Sequence, residues 1–339
     1  MGAPAGKISL KKELKLRQLF SLAFGTIIGV GWVTVLGKWL TQAGSLGAVI
    51  AFLAGGLVMI FIGLTYSEMA AMYPVSGGEV AYAYEAYGLK TSFMTGWLLS
   101  LTYIGVVVFE VISVGWVAGS LFPVLEGRVL YSFLGDDVFL GSVLVGILGT
   151  LVLTFVNYRG AGMAATFQDL LVLGLLIVSA IFITVGLVRG DMENLRPLFV
   201  EGTGKSWWGG VLAVFATAPF WYSGFDTIPQ AMGEKAEGAP VHKVSRVIVL
   251  SIVVAAVFYA GVIIATSMVL PRSELTALDL PTAGAFTAAF SSPFWGRVVL
   301  FAGLLGLLSS WNAFFFAGSR LSSVMFIRNT RHPPGPFFL

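Results

Sequence analysis

Gly25-Thr26-Ile27-Ile28-Gly29-Val30-Gly31-Trp32, inside the first long apolar stretch, and Pro219-Phe220-Trp221-Tyr222-Ser223-Gly224-Phe225-Asp226, inside the sixth, decide how this chain is read. Each interrupts an apolar run with residues that helices tolerate poorly. A helix opened within hydrocarbon leaves N–H and C=O groups without partners, so the gap has to line a polar cavity that a ligand or ion can fill. Two such breaks in corresponding places point to a secondary transporter.

Composition agrees. Of 339 residues, 57% are hydrophobic and 11% charged, and a mean hydropathy of +0.89 excludes a polar surface around one soluble core. Eight candidate spans fall at 19–40, 46–66, 93–123, 138–156, 170–188, 207–232, 247–270 and 298–319, each near or above the roughly 20 residues a spanning helix needs. The short alternating segments of an outer-membrane barrel are absent from these runs.

Lys and Arg set the orientation. With the N-terminus inside, the inner segments hold Lys7, Lys11, Lys12, Lys15, Arg17, Lys90, Arg159, Lys235, Lys243, Arg246, Arg320, Arg328 and Arg331, and the outer ones hold seven. This bias predicts a multi-pass protein of the plasma membrane with both termini cytoplasmic. No aromatic-interleaved basic stripe calls for nucleic acid. With no cysteine, and with His242 and His332 outside the spans, no metal cofactor is expected. The absence of a nucleophile/base pair within the spans argues against an enzyme.

The motif Gly25-x3-Gly29-x-Gly31-Trp32 is followed by Ser67-Glu68-Met69-Ala70-Ala71-Met72-Tyr73-Pro74-Val75-Ser76-Gly77-Gly78-Glu79. With Tyr222-Ser223-Gly224-Phe225-Asp226, Glu234, Ser309-Ser310-Trp311-Asn312-Ala313 and Ser319-Arg320, it resembles the amino-acid/polyamine/organocation permease superfamily. The resemblance runs to about Arg320. It implies an all-α membrane protein with a leucine-transporter-like fold, five helices repeated in inverted topology, the first and sixth broken around a central site. It also implies alternating-access transport of amino acids or polyamines, driven by an ion or by exchange. Because the sequence stops soon after the eighth span, the second repeat is expected to be incomplete. A truncated fragment or non-transporting subunit that needs partner helices, or a homo-oligomer, is the alternative.

The substrate site is expected at Thr26, Ile27, Gly29, Val30, Gly31, Trp32, Tyr103, Phe220, Trp221, Tyr222, Ser223 and Gly224. Glycines at the first break allow close approach and leave N–H groups aimed at a carboxylate, while carbonyls near 220–223 face an ammonium. A small-x3-small packing face is the alternative for Gly25 and Gly29 taken alone. Trp32, Phe220, Trp221 and Tyr222 are the aromatic lids, with Tyr103 and Trp311 as further cavity residues.

Buried carboxylates need partners or water. Glu110, deep in the third span, is read as a site for a cationic substrate group or a coupling proton, or else as a protonated acid bonded to a neighbouring helix. Asp226 is read as a tie or inner gate, and Glu68 and Asp169 as solvated near helix ends. The fifth span, 170–188, has no lysine to stand in for a sodium ion as in some proton-coupled superfamily members. Ser309 and Ser310 match the hydroxyl pair of sodium-coupled ones, so Na+ and H+ both stay open as coupling ions.

One membrane domain, 19–327, is expected between an amphipathic cytoplasmic segment, 1–18, and a short tail, 328–339. The stretch 76–90, with Tyr82, Tyr84 and Tyr87 around Glu79 and Glu85, suits a short interfacial helix.

Overall fold

In the computed structural model, which describes residues 11–133, 136–200 and 206–326, the first apolar stretch begins as α1 (Leu16–Ile27) and stops there. Ile28 leaves the helical region at φ −93°, ψ 81°, and the helix restarts at α2 (Gly31–Thr34). α3 (Leu36–Met72) follows, bent at Gly44, where φ is 76° and ψ 176°. A Cβ at Gly44 would lie 2.8 Å from the Leu198 carbonyl oxygen, so both the dihedrals and the space require glycine. Residues 31–43 therefore complete the first span, and 45–72 form the second.

The short α4 (Glu79–Tyr87) falls where an interfacial helix is expected and leads into α5 (Leu89–Leu121). A small antiparallel hairpin, β1 (Val129–Phe133) and β2 (Asp136–Phe139), joins α5 to α6 (Leu140–Tyr158) and then α7 (Ala161–Arg189). The sixth stretch divides into α8 (Trp207–Trp221), with Pro219 near its end, and the five-residue α9 (Thr227–Ala231). Pro219 removes a helical donor and crowds the turn before it, favouring the stop that follows. α10 (Val241–Val269), the short α11 (Arg272–Leu275) and α12 (Pro281–Phe290), and α13 (Pro293–Phe326) complete the described chain.

Among the described residues seven stretches are long and apolar enough to cross a membrane, one fewer than the sequence suggests. The difference is the sixth: unwinding leaves α8 only 15 residues. The fifth helix starts nine residues earlier than expected, at Ala161. The hairpin and α11–α12 have no counterpart in the sequence reading, because hydropathy windows register only spanning runs.

α3 packs against α8 and α10, α13 packs against α5 and α7, and α1 threads between α7, α10 and α13. Both broken spans thus sit where two helix groups meet. Side chains such as Leu98, Ile104, Ile112, Leu148 and Ile177 point outward, as lipid contact permits.

Of the expected amphipathic lead-in, residues 11–15 are extended rather than helical. Leu14 is fully buried, and it and Glu13 donate backbone hydrogen bonds to the Glu234 carbonyl at 2.9 and 3.0 Å. A chain whose N–H groups pair with another segment has no need of a helix there. Residues 1–10, the tail from 327 on, Lys7, Lys205, Arg328, Arg331 and His332 lie outside the described residues.

Candidate functional site

A cavity of about 370 Å3 opens at the two breaks. α1 and the first break contribute Thr26, Ile27, Gly29 and Val30, and the restarted helix contributes Gly31, Thr34 and Val35. Phe220, Trp221 and Ser223 come from the sixth-span break, and Ser310 and Phe314 from α13. α5 adds Leu101, Thr102, Gly105, Val106, Phe109 and Glu110.

Helical register explains which expected residues reach this space. Positions three and four apart share a face, so Gly31, Thr34 and Val35 face the cavity while Trp32 does not. Trp32 is fully buried, packs edge-on against Phe258 with centroids 5.6 Å apart, and accepts a 2.6 Å bond from Thr282 Oγ1 on its carbonyl. It is a wedge between helices rather than a lid. Trp311 likewise turns away: a Cβ on Gly149 of α6 would lie 2.6 Å from its ring. Tyr222, also fully buried, donates to the Phe52 carbonyl at 3.0 Å. Gly224, at φ 121°, presses against Thr26, where a Cβ would meet Thr26 Cγ2 at 2.4 Å.

Phe220 stands at the rim, 61% exposed. Trp221 lies under the restart of the first span, since a Cβ on Gly31 would come within 2.3 Å of its ring. The Phe220 carbonyl accepts from Ser223 Oγ at 2.8 Å, and Tyr259 Oη donates toward the carbonyls of Ile27 at 3.1 Å and Trp221 at 3.2 Å. One hydroxyl thus bridges the two breaks. Two of the carbonyls expected to face an ammonium already have protein partners.

The N–H groups of Val30, Gly31 and Trp32 make no backbone hydrogen bond, as at any helix start. Glu110, 4% exposed, is the only charged side chain lining the cavity among the described residues. Its Oε1 accepts from Ser310 Oγ at 2.6 Å, and its Oε2 is buried without a partner.

Ser309 and Ser310 diverge. Ser309 Oγ accepts from Gln168 Nε2 at 2.8 Å, and the same amide donates to the Ser21 carbonyl at 3.1 Å. Gln168 Oε1 in turn accepts from Asn312 Nδ2 at 2.8 Å, and Asn312 Oδ1 accepts from Asn157 Nδ2 at 3.0 Å. Gln168, fully buried, thus joins α1, α7 and α13 through one neutral amide.

Tyr103 lies on another face of α5 and donates to Asp226 Oδ2 at 2.5 Å, so both expected residues sit one layer below the cavity. In the next layer Gln230 Nε2 donates to Glu79 Oε2 at 2.7 Å. Burial, and then the neighbouring Asp226 carboxylate, push Glu79 up to about 8. At the same end Arg320 holds Glu234 at 2.7 Å, with side chains 12% and 6% exposed, and Arg17 pairs with Asp169 at 2.8 Å. Asp169 is ion-paired and largely enclosed, not solvated, because α1 brings Arg17 over the start of α7.

Sequence reasoning passed over Thr34, Thr102, Phe109, Phe314, Gln168 and Tyr259. Thr102, Val106 and Glu110 recur every four residues, a signal that was available. Gln168 fell outside the apolar window drawn for the fifth span.

The amino acid permease family profile matches residues 14–328. The branched-chain amino acid permease BcaP of Bacillus subtilis (strain 168) is 28% identical over 289 residues, 83% of this chain and 60% of that protein. The gamma-aminobutyric acid permease of the same organism is 28% identical, over 94% of this chain and 66% of its own. The chain therefore spans about three fifths to two thirds of these relatives. The structure of Mhp1, a nucleobase-cation-symport-1 family transporter, in a closed conformation with bromovinylhydantoin bound, superposes with a TM-score of 0.65 at 14% identity. It covers 96% of this chain and 70% of Mhp1, and shows a shared fold.

Proposed function

The chain belongs to the amino acid permease family, and on that premise we propose that it carries an amino acid or related amine across the plasma membrane by alternating access, both termini lying in the cytoplasm. The supporting observation is one cavity bounded by both broken spans, with unpaired N–H groups at one wall and a carboxylate at another. An ammonium group finds an opposite charge there, and the remaining wall is apolar enough to hold a side chain. Transport then requires the group of α1, α3, α8 and α10 to rock against α5, α6, α7 and α13 around the bound substrate.

The serine pair supports a proton or a counter-substrate, rather than sodium, as the coupling species. A sodium ion needs several converging oxygens. Ser309 and the Ser21 carbonyl instead converge on the Gln168 amide, and Ser310 is directed to Glu110.

Thermal unfolding of the purified 339-residue chain, with a panel of amino acids and polyamines in sodium and in choline buffer, tests this. A rise of a few degrees with at least one ligand is expected. No shift with any ligand, together with no uptake into proteoliposomes, would sink the proposal.

A further inference from the structure

Glu110 is the one charged side chain that meets the cavity among the described residues, and only half of it is accounted for. Ser310 Oγ donates to Oε1 at 2.6 Å, whereas Oε2 is buried and without a partner. A Cβ on Gly29 would stand 3.7 Å from Oε1, so the carboxyl group reaches the first-span break itself.

We propose that Glu110 makes this cavity a site for substrates of net positive charge, with an ammonium or guanidinium group docking on Oε2: a basic amino acid or an aliphatic diamine. The inference rests on the transport reading of the same cavity and narrows its substrate.

Charge balance carries the argument. Among the described lining residues α1, the restarted first span, the sixth-span break and α13 add the polar Thr26, Thr34, Ser223 and Ser310, and α5 adds Thr102, none of them titratable, and the rest is mostly apolar. A zwitterion bound there leaves the carboxylate's negative charge uncompensated in a poorly solvated pocket, whereas a substrate of charge +1 brings the site to neutrality. The hydrogen bonding points the same way. Ser310 donates to Glu110, which suits an ionised acceptor, and a proton on Oε2 would have no acceptor of its own. A multiply donating cation supplies what Oε2 lacks.

Ligand binding to the detergent-purified full chain, measured by thermal shift and by competition against a radiolabelled binder, decides the matter with lysine, ornithine, putrescine and leucine. The wild type should bind at least one of the three cationic ligands about tenfold or more tightly than leucine. Preference for lysine and ornithine assigns a basic amino acid; preference for putrescine assigns a diamine. Glu110→Gln should erase that preference and leave leucine equal or favoured. Should the Gln variant fail to fold, Glu110→Asp, which keeps the charge and withdraws it by one methylene, should weaken the cationic ligand more than leucine. Leucine binding as well as the cations in the wild type, with a ranking indifferent to Glu110, overturns this inference and leaves the transport reading standing. No binding by any of the four, or by the wider amino-acid panel, overturns both.

Discussion

Gly25 and Gly29 stand four residues apart in one motif and do different work. A Cβ on Gly25 would lie 2.0 Å from Ser309 Oγ and 2.6 Å from both Gln168 Nε2 and Val172 Cγ2, so Gly25 lets α1 seat against α7 and α13. A Cβ on Gly29 meets only Glu110 Oε1, at 3.7 Å. Gly25→Ala should therefore destabilise the chain by about 1–3 kcal/mol through overpacking, and Gly29→Ala much less. Melting temperatures of the two purified variants check this, and equal losses would refute the distinction. The sequence contains the glycines but not their neighbours, which come from helices more than eighty residues away. The same limit hid the direction of Trp32. Its bulk beside a break reads as a lid until α10 and α12 supply Phe258 and Thr282 as partners.

Whole elements were more legible than single side chains. Apolar runs located the spans, and glycine and proline located both interruptions, because backbone chemistry in hydrocarbon leaves few alternatives. What the runs lacked was the polar strip on each helix. On α7 that strip is Gln168, whose amide makes three hydrogen bonds to α1 and α13. Gln168→Leu should orphan the groups it now satisfies and cost on the order of 1–3 kcal/mol or more, seen as a lower melting temperature. Wild-type ligand stabilisation should be the same in sodium and in choline; a sodium-dependent shift would contradict the part assigned to Gln168. α4 offers a pH test outside the spans. A carboxyl group raised from 4.5 to about 8 on folding favours the folded state below about pH 4.5 and loses that contribution as pH rises through about 8. Wild-type stability should fall across this window relative to Glu79→Gln, and parallel curves would show that Glu79 does not titrate there.

Across the whole molecule, Glu234 ties together segments that lie far apart in the chain. Its carboxylate holds Arg320 of α13, and its carbonyl receives the extended Glu13–Leu14 segment. Removing one member of a buried ion pair costs about 3–5 kcal/mol, so Arg320→Gln should loosen this junction while the cavity wall stays built. The chain has no cysteine. A single Thr102→Cys on the cavity wall then reports access, and it should react faster with a membrane-impermeant maleimide from the arginine-rich side once Arg320 is changed. Unaltered labelling would place the barrier elsewhere. None of these long-range pairings was visible in the linear sequence beyond the charges themselves, since each joins segments far apart along the chain.

The bend at Gly44 has a mechanical side. The helix bends there at a single residue, with the Leu198 carbonyl accepting from the N–H groups of Leu46 and Gly47 at 3.0 and 3.1 Å. Residues 31–43 and 45–72 are therefore two arms of a crank with almost no slack at the elbow. The longer arm, at 1.5 Å per residue, reaches about 42 Å. With both arms stiff, a small tilt of the short arm over the cavity would be carried, amplified by length, towards residue 72, close in the chain to Ser76 and its 3.0 Å bond from the Gly233 N–H. An inserted residue at position 44 would add play at the elbow and uncouple the two ends while leaving both arms intact.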